Sequence, residues 1–122
     1  MKPGDKGIKR ILKAFVYSYE GFKEAFRTEA AFRQELLLCG VLFVAAIFMP
    51  ITIIEKLFLI SSLFIILLME LVNTAIEAVV DRISGEKHHL SKKAKDTGSL
   101  MVLVAFMYAA IVWGAIIWVN FI

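Results

Sequence analysis

The amino-acid sequence predicts an all-α membrane protein: an N-terminal amphipathic surface helix followed by three transmembrane helices. Of the 122 residues, 60% are hydrophobic, and the mean hydropathy is +0.77, whereas soluble domains are only about 45–50% apolar. Three apolar stretches are each long enough to cross a hydrocarbon core of about 30 Å. The length allows one domain, so residues 1–122 are interpreted as a single integral-membrane unit.

The N-terminal segment has the pattern of an amphipathic helix over about residues 7–27. Its apolar residues recur at helical spacing and its basic residues fall on the opposite side. The apolar positions are Ile8, Ile11, Leu12, Phe15, Tyr19, Phe22 and Phe26. This pattern is typical of a helix that lies among lipid headgroups. The alternative is a helix packed on the water-facing end of the bundle.

Three spans are predicted, at about residues 30–50, 54–81 and 98–120. Lysine and arginine are concentrated in the N-terminal segment and in the 81–99 loop, whereas the 50–56 turn contains only Lys56. The positive-inside rule therefore predicts that the N-terminus and the 81–99 loop are cytoplasmic and that the C-terminus lies outside. Three helices cannot enclose a polar site by themselves, so an oligomer is expected.

The second span carries a stripe of polar residues, Glu70, Asn73, Glu77 and Asp81. At about 100° per residue these four positions fall within roughly 80° of arc, on one helix face. Carboxylates inside a membrane span usually face a bundle interior or a polar cavity, so Glu70 and Glu77 indicate a functional site. Glu29, at the mouth of the first span, is expected at a similar depth.

The 81–99 loop adds basic residues beside this acidic stripe. Its charged and titratable residues are Asp81, Arg82, Glu86, Lys87, His88, His89, Lys92, Lys93, Lys95 and Asp96. Carboxylates close to lysines favour a Mg²⁺-nucleotide site, because Mg²⁺ takes one or two carboxylates while phosphates fill its other positions. Neither G-x-x-x-x-G-K-[ST] nor G-x-G-x-x-G occurs, so this site would be neither a P-loop nor a protein-kinase fold. Ser91 is expected to be the N-cap of the third span.

Other roles for these residues stay open on the sequence alone. Glu70 and Glu77 can instead pair with basic residues of another subunit, and Asn73 can form a helix–helix contact. The basic residues at 92–95 can simply hold the loop at the inner leaflet. A small oligomeric ion or proton transporter is the alternative function, since intramembrane carboxylates also carry ions.

Several motifs along the chain carry a resemblance to a known family. They are E-A-A-F-R-Q-E (29–35), N-x-A-I-E (73–77), E-A-V-V-D-R-I (77–83), Glu86, His88, L-S (90–91), A-K-D (94–96) and G-S (98–99). From about Gly7 to Trp118 the chain resembles the small membrane-integral diacylglycerol kinases of bacteria. The first motif is more similar to the Gram-negative diacylglycerol kinases than to the related undecaprenol kinases of Gram-positive bacteria, which are the alternative within the family.

This resemblance implies ATP-dependent phosphorylation of diacylglycerol to phosphatidic acid by a homotrimer in the bacterial inner membrane. It implies active sites shared between subunits near the cytoplasmic side, and a periplasmic C-terminus. Glu70 would be the general base, and Glu29 and Glu77 would hold Mg²⁺ on the nucleotide phosphates. The implied nucleotide contacts are Arg10, Tyr17, Glu29, Asn73, Glu77, Glu86, Lys87, His88, Lys95 and Asp96. The implied lipid contacts are Arg10, Ala14, Arg33, Gln34, Glu70, Ser99 and Trp113.

The order of the carboxylates along the second span agrees with this chemistry. Glu77 is two helical turns, about 10.5 Å, farther toward the cytoplasm than Glu70. A base near the lipid hydroxyl and a metal-binding carboxylate near water are what in-line transfer to a membrane alcohol requires. The partners that the resemblance implies are ATP and diacylglycerol, and no nucleic acid is expected.

Overall fold

The chain forms four α-helices in the computed structural model, which describes residues 3–4, 6–83 and 88–122. The helices are α1 (Gly7–Thr28), α2 (Ala30–Phe48), α3 (Ile53–Ile83) and α4 (His89–Phe121). Helices α2, α3 and α4 are each long and apolar enough to cross a membrane. The all-α class with three apolar spans is thus confirmed.

Helix α1 turns into α2 at Glu29, whose backbone is extended (φ −112°, ψ 103°) between the two helices. The Arg33 guanidinium donates hydrogen bonds to the carbonyl oxygens of Phe26 and Arg27 at 2.8 and 3.1 Å. These bonds satisfy carbonyl groups that a helix C-terminus leaves without intrahelical partners. Ala25 is the one buried residue of α1. On the apolar face of α1, Phe22 contacts Phe32 of α2 edge to face, whereas Phe15 and Tyr19 are exposed.

A capping box starts α3 after the short turn from α2. The backbone N–H of Thr52 donates to Glu55 Oε1, and the backbone N–H of Glu55 donates to Thr52 Oγ1, each at 3.1 Å. This exchange satisfies two amide groups at the helix start. The Asn120 side chain, at the end of α4, donates to Glu55 Oε2 at 2.8 Å. The end of α4 is thereby tied to the start of α3, and the two helices run antiparallel.

The core lies where α3 packs on α4 and α2. It is formed by Cys39, Leu63, Ile66, Ala105 and Ala109. The alanines of α4 present little side chain, which allows the two long helices to approach closely. Ser62 is fully buried; its hydroxyl donates to the Leu59 carbonyl at 2.6 Å and accepts from Trp113 Nε1 at 3.0 Å. The Ser62–Trp113 hydrogen bond thus fixes α4 against α3 inside the bundle.

Helix α4 begins before Ser91, so the prediction that Ser91 caps it is wrong. The cap is His88, whose backbone is extended (φ −123°, ψ 140°) and whose Nδ1 accepts from the Leu90 N–H at 3.1 Å. With 33 residues, α4 is about 50 Å long and exceeds the hydrocarbon core of about 30 Å. Its first turns, from His89 to about Gly98, precede the predicted third span, which begins at about residue 98.

Candidate active site

The first two residues of the polar stripe on α3 face the inside of the bundle. Glu70 and Asn73 are buried, with exposed fractions of 6% and 8%. Glu77 is half-buried and Asp81 is exposed. The Asn73 amide Nδ2 donates a hydrogen bond to Glu77 Oε1 at 3.3 Å. The stripe thus passes from the protein interior to the surface, and Asn73 links its buried and accessible parts.

Glu70 is surrounded by other carboxyl groups. Glu35 of α2 lies beside it, close enough for a hydrogen bond between the two side chains. Glu29 and Glu77 are near enough to act on the Glu70 carboxyl by their charge. The structure therefore brings together the three carboxylates that the sequence analysis singled out, together with one that it did not.

Glu35 is the functional candidate that sequence reasoning missed. Glu35 is the last residue of the E-A-A-F-R-Q-E motif, and neither the helical spacing nor the resemblance gives it a role. Its Oε2 atom is buried and has no hydrogen-bond partner among the described residues. The signal that identifies it is position: Glu35 is the last charged residue before the uncharged stretch 36–49, so it enters the membrane end of the site.

Glu29 and Glu77 are the two carboxylates to which the resemblance assigns a divalent cation. Their carboxylate oxygens are the hard ligands that Mg²⁺ prefers. Within residues 3–4, 6–83 and 88–122, no group of three or more His, Cys, Asp or Glu side chains is arranged to hold a metal ion alone. A Mg²⁺ ion bound by Glu29 and Glu77 would therefore need further ligands, which nucleotide phosphates can supply.

A groove of about 750 Å³ runs between α1 and the half of α3 that carries the stripe. One wall extends from Ser18 to Glu29, and the other from Leu71 to Ala78. Small side chains such as Ala25 and Ala75 keep the groove open, and Glu29 lies in its wall. The groove is thus largely apolar, and Glu29 is the member of the carboxylate cluster that lines it.

The first turns of α4 place charged groups at the accessible end of the stripe. Lys95 Nζ forms an ion pair with Asp81 Oδ1 at 2.6 Å, so α4 is joined to the end of α3. Lys92 Nζ pairs with Asp96 Oδ2 at 2.5 Å within α4. Lys95 thus lies next to the stripe, whereas Asp96 is engaged by its own helix.

The other expected nucleotide contacts are more scattered. Glu86 and Lys87 lie outside the described residues. His88 uses its Nδ1 as the cap of α4. Arg10 and Tyr17 are exposed on α1, and Arg10 lines a separate groove of about 440 Å³. Within one protomer, the structure thus leaves these α1 residues apart from the groove that contains Glu29.

The expected lipid contacts divide into two groups. Arg33 and Trp113 form hydrogen bonds within the chain. Arg33 binds the end of α1, and Trp113 binds Ser62. Gln34 and Ser99 are exposed. Ala14 shares the α1 groove of Arg10, away from Glu70. A single chain therefore places only some of the expected lipid contacts around the carboxylates.

Fold and site together define a helical membrane protein with a buried carboxylate cluster that opens beside a basic helix start. Its family follows from comparison with known proteins. The family described as prokaryotic diacylglycerol kinase matches residues 16–117. The chain therefore belongs to the prokaryotic diacylglycerol kinase family, and the resemblance found in its motifs is confirmed. It is a multi-pass membrane protein of that family.

Curated relatives match almost the whole chain. The diacylglycerol kinase of Escherichia coli is 44% identical over 115 residues, which cover 94% of this chain and 94% of the relative. The diacylglycerol kinase of Pseudomonas aeruginosa is 46% identical over 114 residues, or 93% of each chain. That of Haemophilus influenzae is 42% identical over 111 residues, covering 91% of this chain and 94% of the relative.

Proposed function

We propose that this protein transfers the γ-phosphoryl group of ATP to the hydroxyl group of diacylglycerol, which yields phosphatidic acid and ADP. The observation that carries the proposal is the buried Glu70, with Glu35 beside it and Glu77 two turns farther along the same helix face. Family membership and the names of the relatives support the same reaction.

In this proposal Glu70 is the general base. It accepts the proton of the lipid hydroxyl while the hydroxyl oxygen attacks the γ-phosphorus in line with the departing ADP. Its burial supports this role, because a carboxylate shielded from solvent activates a lipid alcohol that lies in the membrane rather than water. The groove along α1 supports it as well, since a lipid lying there would have Glu29 in the wall beside it.

The accessible end of the stripe holds the nucleotide in this proposal. Glu29 and Glu77 hold Mg²⁺, and the Asn73 amide orients one oxygen of Glu77. When bound, Mg²⁺ neutralises the charge that develops on the phosphates. The proposed nucleotide contacts are Arg10, Tyr17, Glu29, Asn73, Glu77, Glu86, Lys87, His88, Lys95 and Asp96. The proposed lipid contacts are Arg10, Ala14, Arg33, Gln34, Glu70, Ser99 and Trp113.

We further propose that the site is completed in a homotrimer in the inner membrane, with the N-terminus and the active site in the cytoplasm and the C-terminus in the periplasm. The separation of Arg10 and Tyr17 from the carboxylates supports an oligomer, since a neighbouring subunit can bring its α1 to this site. The basic residues of the N-terminal segment and of residues 81–99 support the orientation.

The experiment that tests the proposal is phosphoryl transfer in mixed micelles. The purified protein receives MgATP with either diacylglycerol or undecaprenol, and labelled phosphate in the lipid phase is counted. Fast labelling of diacylglycerol is the expected result. Transfer to undecaprenol alone would keep the mechanism and change the acceptor. Labelling of neither lipid would contradict the proposal, and ion or proton flux in liposomes would then be measured.

A further inference from the structure

Gly98, on the buried side of α4, is in direct contact with the Asn73 side chain of α3. A Cβ atom at residue 98 would overlap Asn73 Oδ1, and it would lie 3.2 Å from Asn73 Cγ and 3.8 Å from Asn73 Cα. Among the described glycines, Gly98 is the one with any such neighbour within 4 Å. The missing side chain therefore provides the space that the Asn73 amide occupies between the two helices.

The Asn73 amide has two ends with different surroundings. Its Nδ2 donates to Glu77 Oε1 at 3.3 Å. Its Oδ1 is buried without a hydrogen-bond partner among the described residues and lies against Gly98. The amide group is thus held between the Glu77 carboxylate on one side and the backbone of α4 on the other.

From this contact we infer that Gly98 is a positioning residue for the metal-binding end of the site and acts through Asn73. The inference rests on the proposed role of Glu77 as a Mg²⁺ ligand. A methyl group at residue 98 must either rotate the Asn73 amide or push α4 away from α3, because protein interiors leave no spare volume. Rotation of the amide withdraws Nδ2 from Glu77, and a shift of α4 removes the backbone that holds the amide in the orientation in which it donates to Glu77. Partners that orient a metal-binding carboxylate affect metal affinity by about 10–100-fold.

The test is the Mg²⁺ dependence of nucleotide binding, measured without a lipid acceptor. A fluorescent ATP analogue is titrated with Mg²⁺ in the presence of the micellar wild-type protein, Gly98→Ala or Gly114→Ala. Gly114 is the matched control, since it also lies on α4 and nothing is within 4 Å of its added Cβ. We expect the Mg²⁺ concentration for half-maximal binding to rise at least about tenfold in Gly98→Ala and to stay at the wild-type value in Gly114→Ala.

The double variant separates positioning from a general packing defect. If Gly98 acts through Asn73, adding Gly98→Ala to Asn73→Ala has no further effect on the Mg²⁺ titration, because the atoms that the methyl group meets are gone. Additive effects would contradict the inference. If Gly98→Ala alone fails to fold, the double variant should fold. A double variant that also fails would contradict the inference, since the Asn73 side chain would not be the obstacle.

The wild-type titration distinguishes this inference from the proposed function. A wild-type protein that binds the nucleotide equally well with and without Mg²⁺ would contradict the metal-binding role of the site. A Mg²⁺-dependent wild type with an unchanged Gly98→Ala variant would contradict the Gly98 inference alone.

Discussion

The carboxyl groups of Glu35 and Glu70 lie side by side where α2 meets α3. A hydrogen bond between two carboxyl groups requires that one of them carry a proton. In the proposed mechanism, where the base accepts a proton from a lipid hydroxyl, a neutral Glu35 that donates to Glu70 would leave Glu70 as the proton acceptor. Under that proposal Glu35 would support Glu70, and only Glu70 would react.

The first prediction concerns Glu35. Glu35→Gln keeps a hydrogen-bond donor next to Glu70, so we expect kcat within a few-fold of wild type. Glu35→Leu removes the donor, and a hydrogen bond to a charged group contributes about 1.5–3 kcal/mol. We therefore expect kcat to fall about 10–100-fold, with little change in the KM for ATP. Steady-state kinetics with diacylglycerol in mixed micelles provide the measurement.

The matched control for Glu35 is Glu55→Gln. Glu55 is at the opposite end of α3, 15 residues or about 22 Å from Glu70, and glutamine keeps an acceptor for Asn120. We expect its kcat to equal that of wild type. Equal losses in Glu35→Gln and Glu35→Leu would show that Glu35 needs its charge, and the donor role would be rejected.

The second prediction separates the two ends of the stripe. Glu70→Gln should lower kcat by about 10²–10⁴-fold, the range of general-base catalysis, while Mg²⁺-dependent nucleotide binding persists. Glu77→Gln removes a proposed metal ligand. It should weaken Mg²⁺-dependent nucleotide binding by more than the 10–100-fold typical of losing an outer partner. Binding titrations and single-turnover rates on both variants test the assignment, and wild-type behaviour of either variant would contradict its role.

Some features of this fold follow directly from local sequence. The spans follow from uncharged stretches, and the shared face of Glu70, Asn73 and Glu77 follows from helical spacing. The amphipathic α1 is predicted for the same reason. Each of these features depends on a single helix, so no knowledge of its neighbours is needed.

Other features depend on how two elements meet and could not be predicted. From Leu36 to Phe48, helix α2 is apolar on all sides, so this part of its sequence gives no indication of which face turns inward. Packing buries Phe32 and Cys39, and Glu35 lies between them on the same face, against Glu70. The contact of Trp113 with Ser62 spans 51 residues of sequence. Such pairings depend on the relative rotation of two helices, which hydropathy does not encode.

The third prediction concerns the ion pair between Lys95 and Asp81. If Lys95 contacts the nucleotide, its ammonium must leave the Asp81 carboxylate, which lies 2.6 Å away in the structure. An accessible pair of this kind contributes about 0.2–1 kcal/mol. We therefore expect Asp81→Asn to lower the KM for ATP by up to about fivefold, whereas Lys95→Met raises it. Initial rates at varied ATP measure both effects. A higher KM in Asp81→Asn would mean that Asp81 holds Lys95 in its working position instead.

The fourth prediction concerns Arg33 and the surface helix. Because the Arg33 guanidinium binds the carbonyl oxygens of Phe26 and Arg27, Arg33→Ala should loosen the last turn of α1. A loss of about 1 kcal/mol corresponds to roughly fivefold faster amide hydrogen exchange over residues 25–29. Exchange measured by mass spectrometry on the micellar protein tests this effect.

Arg27→Ala is the comparison variant for Arg33. It removes an exposed ion pair with Glu24 but keeps the backbone carbonyl that Arg33 binds, so exchange over residues 25–29 should remain close to wild type. If the two variants exchange equally fast, the Arg33 contact does not stabilise the turn. If only Arg33→Ala exchanges faster and its KM for diacylglycerol also rises, the angle between α1 and α2 determines how the α1 groove receives its lipid.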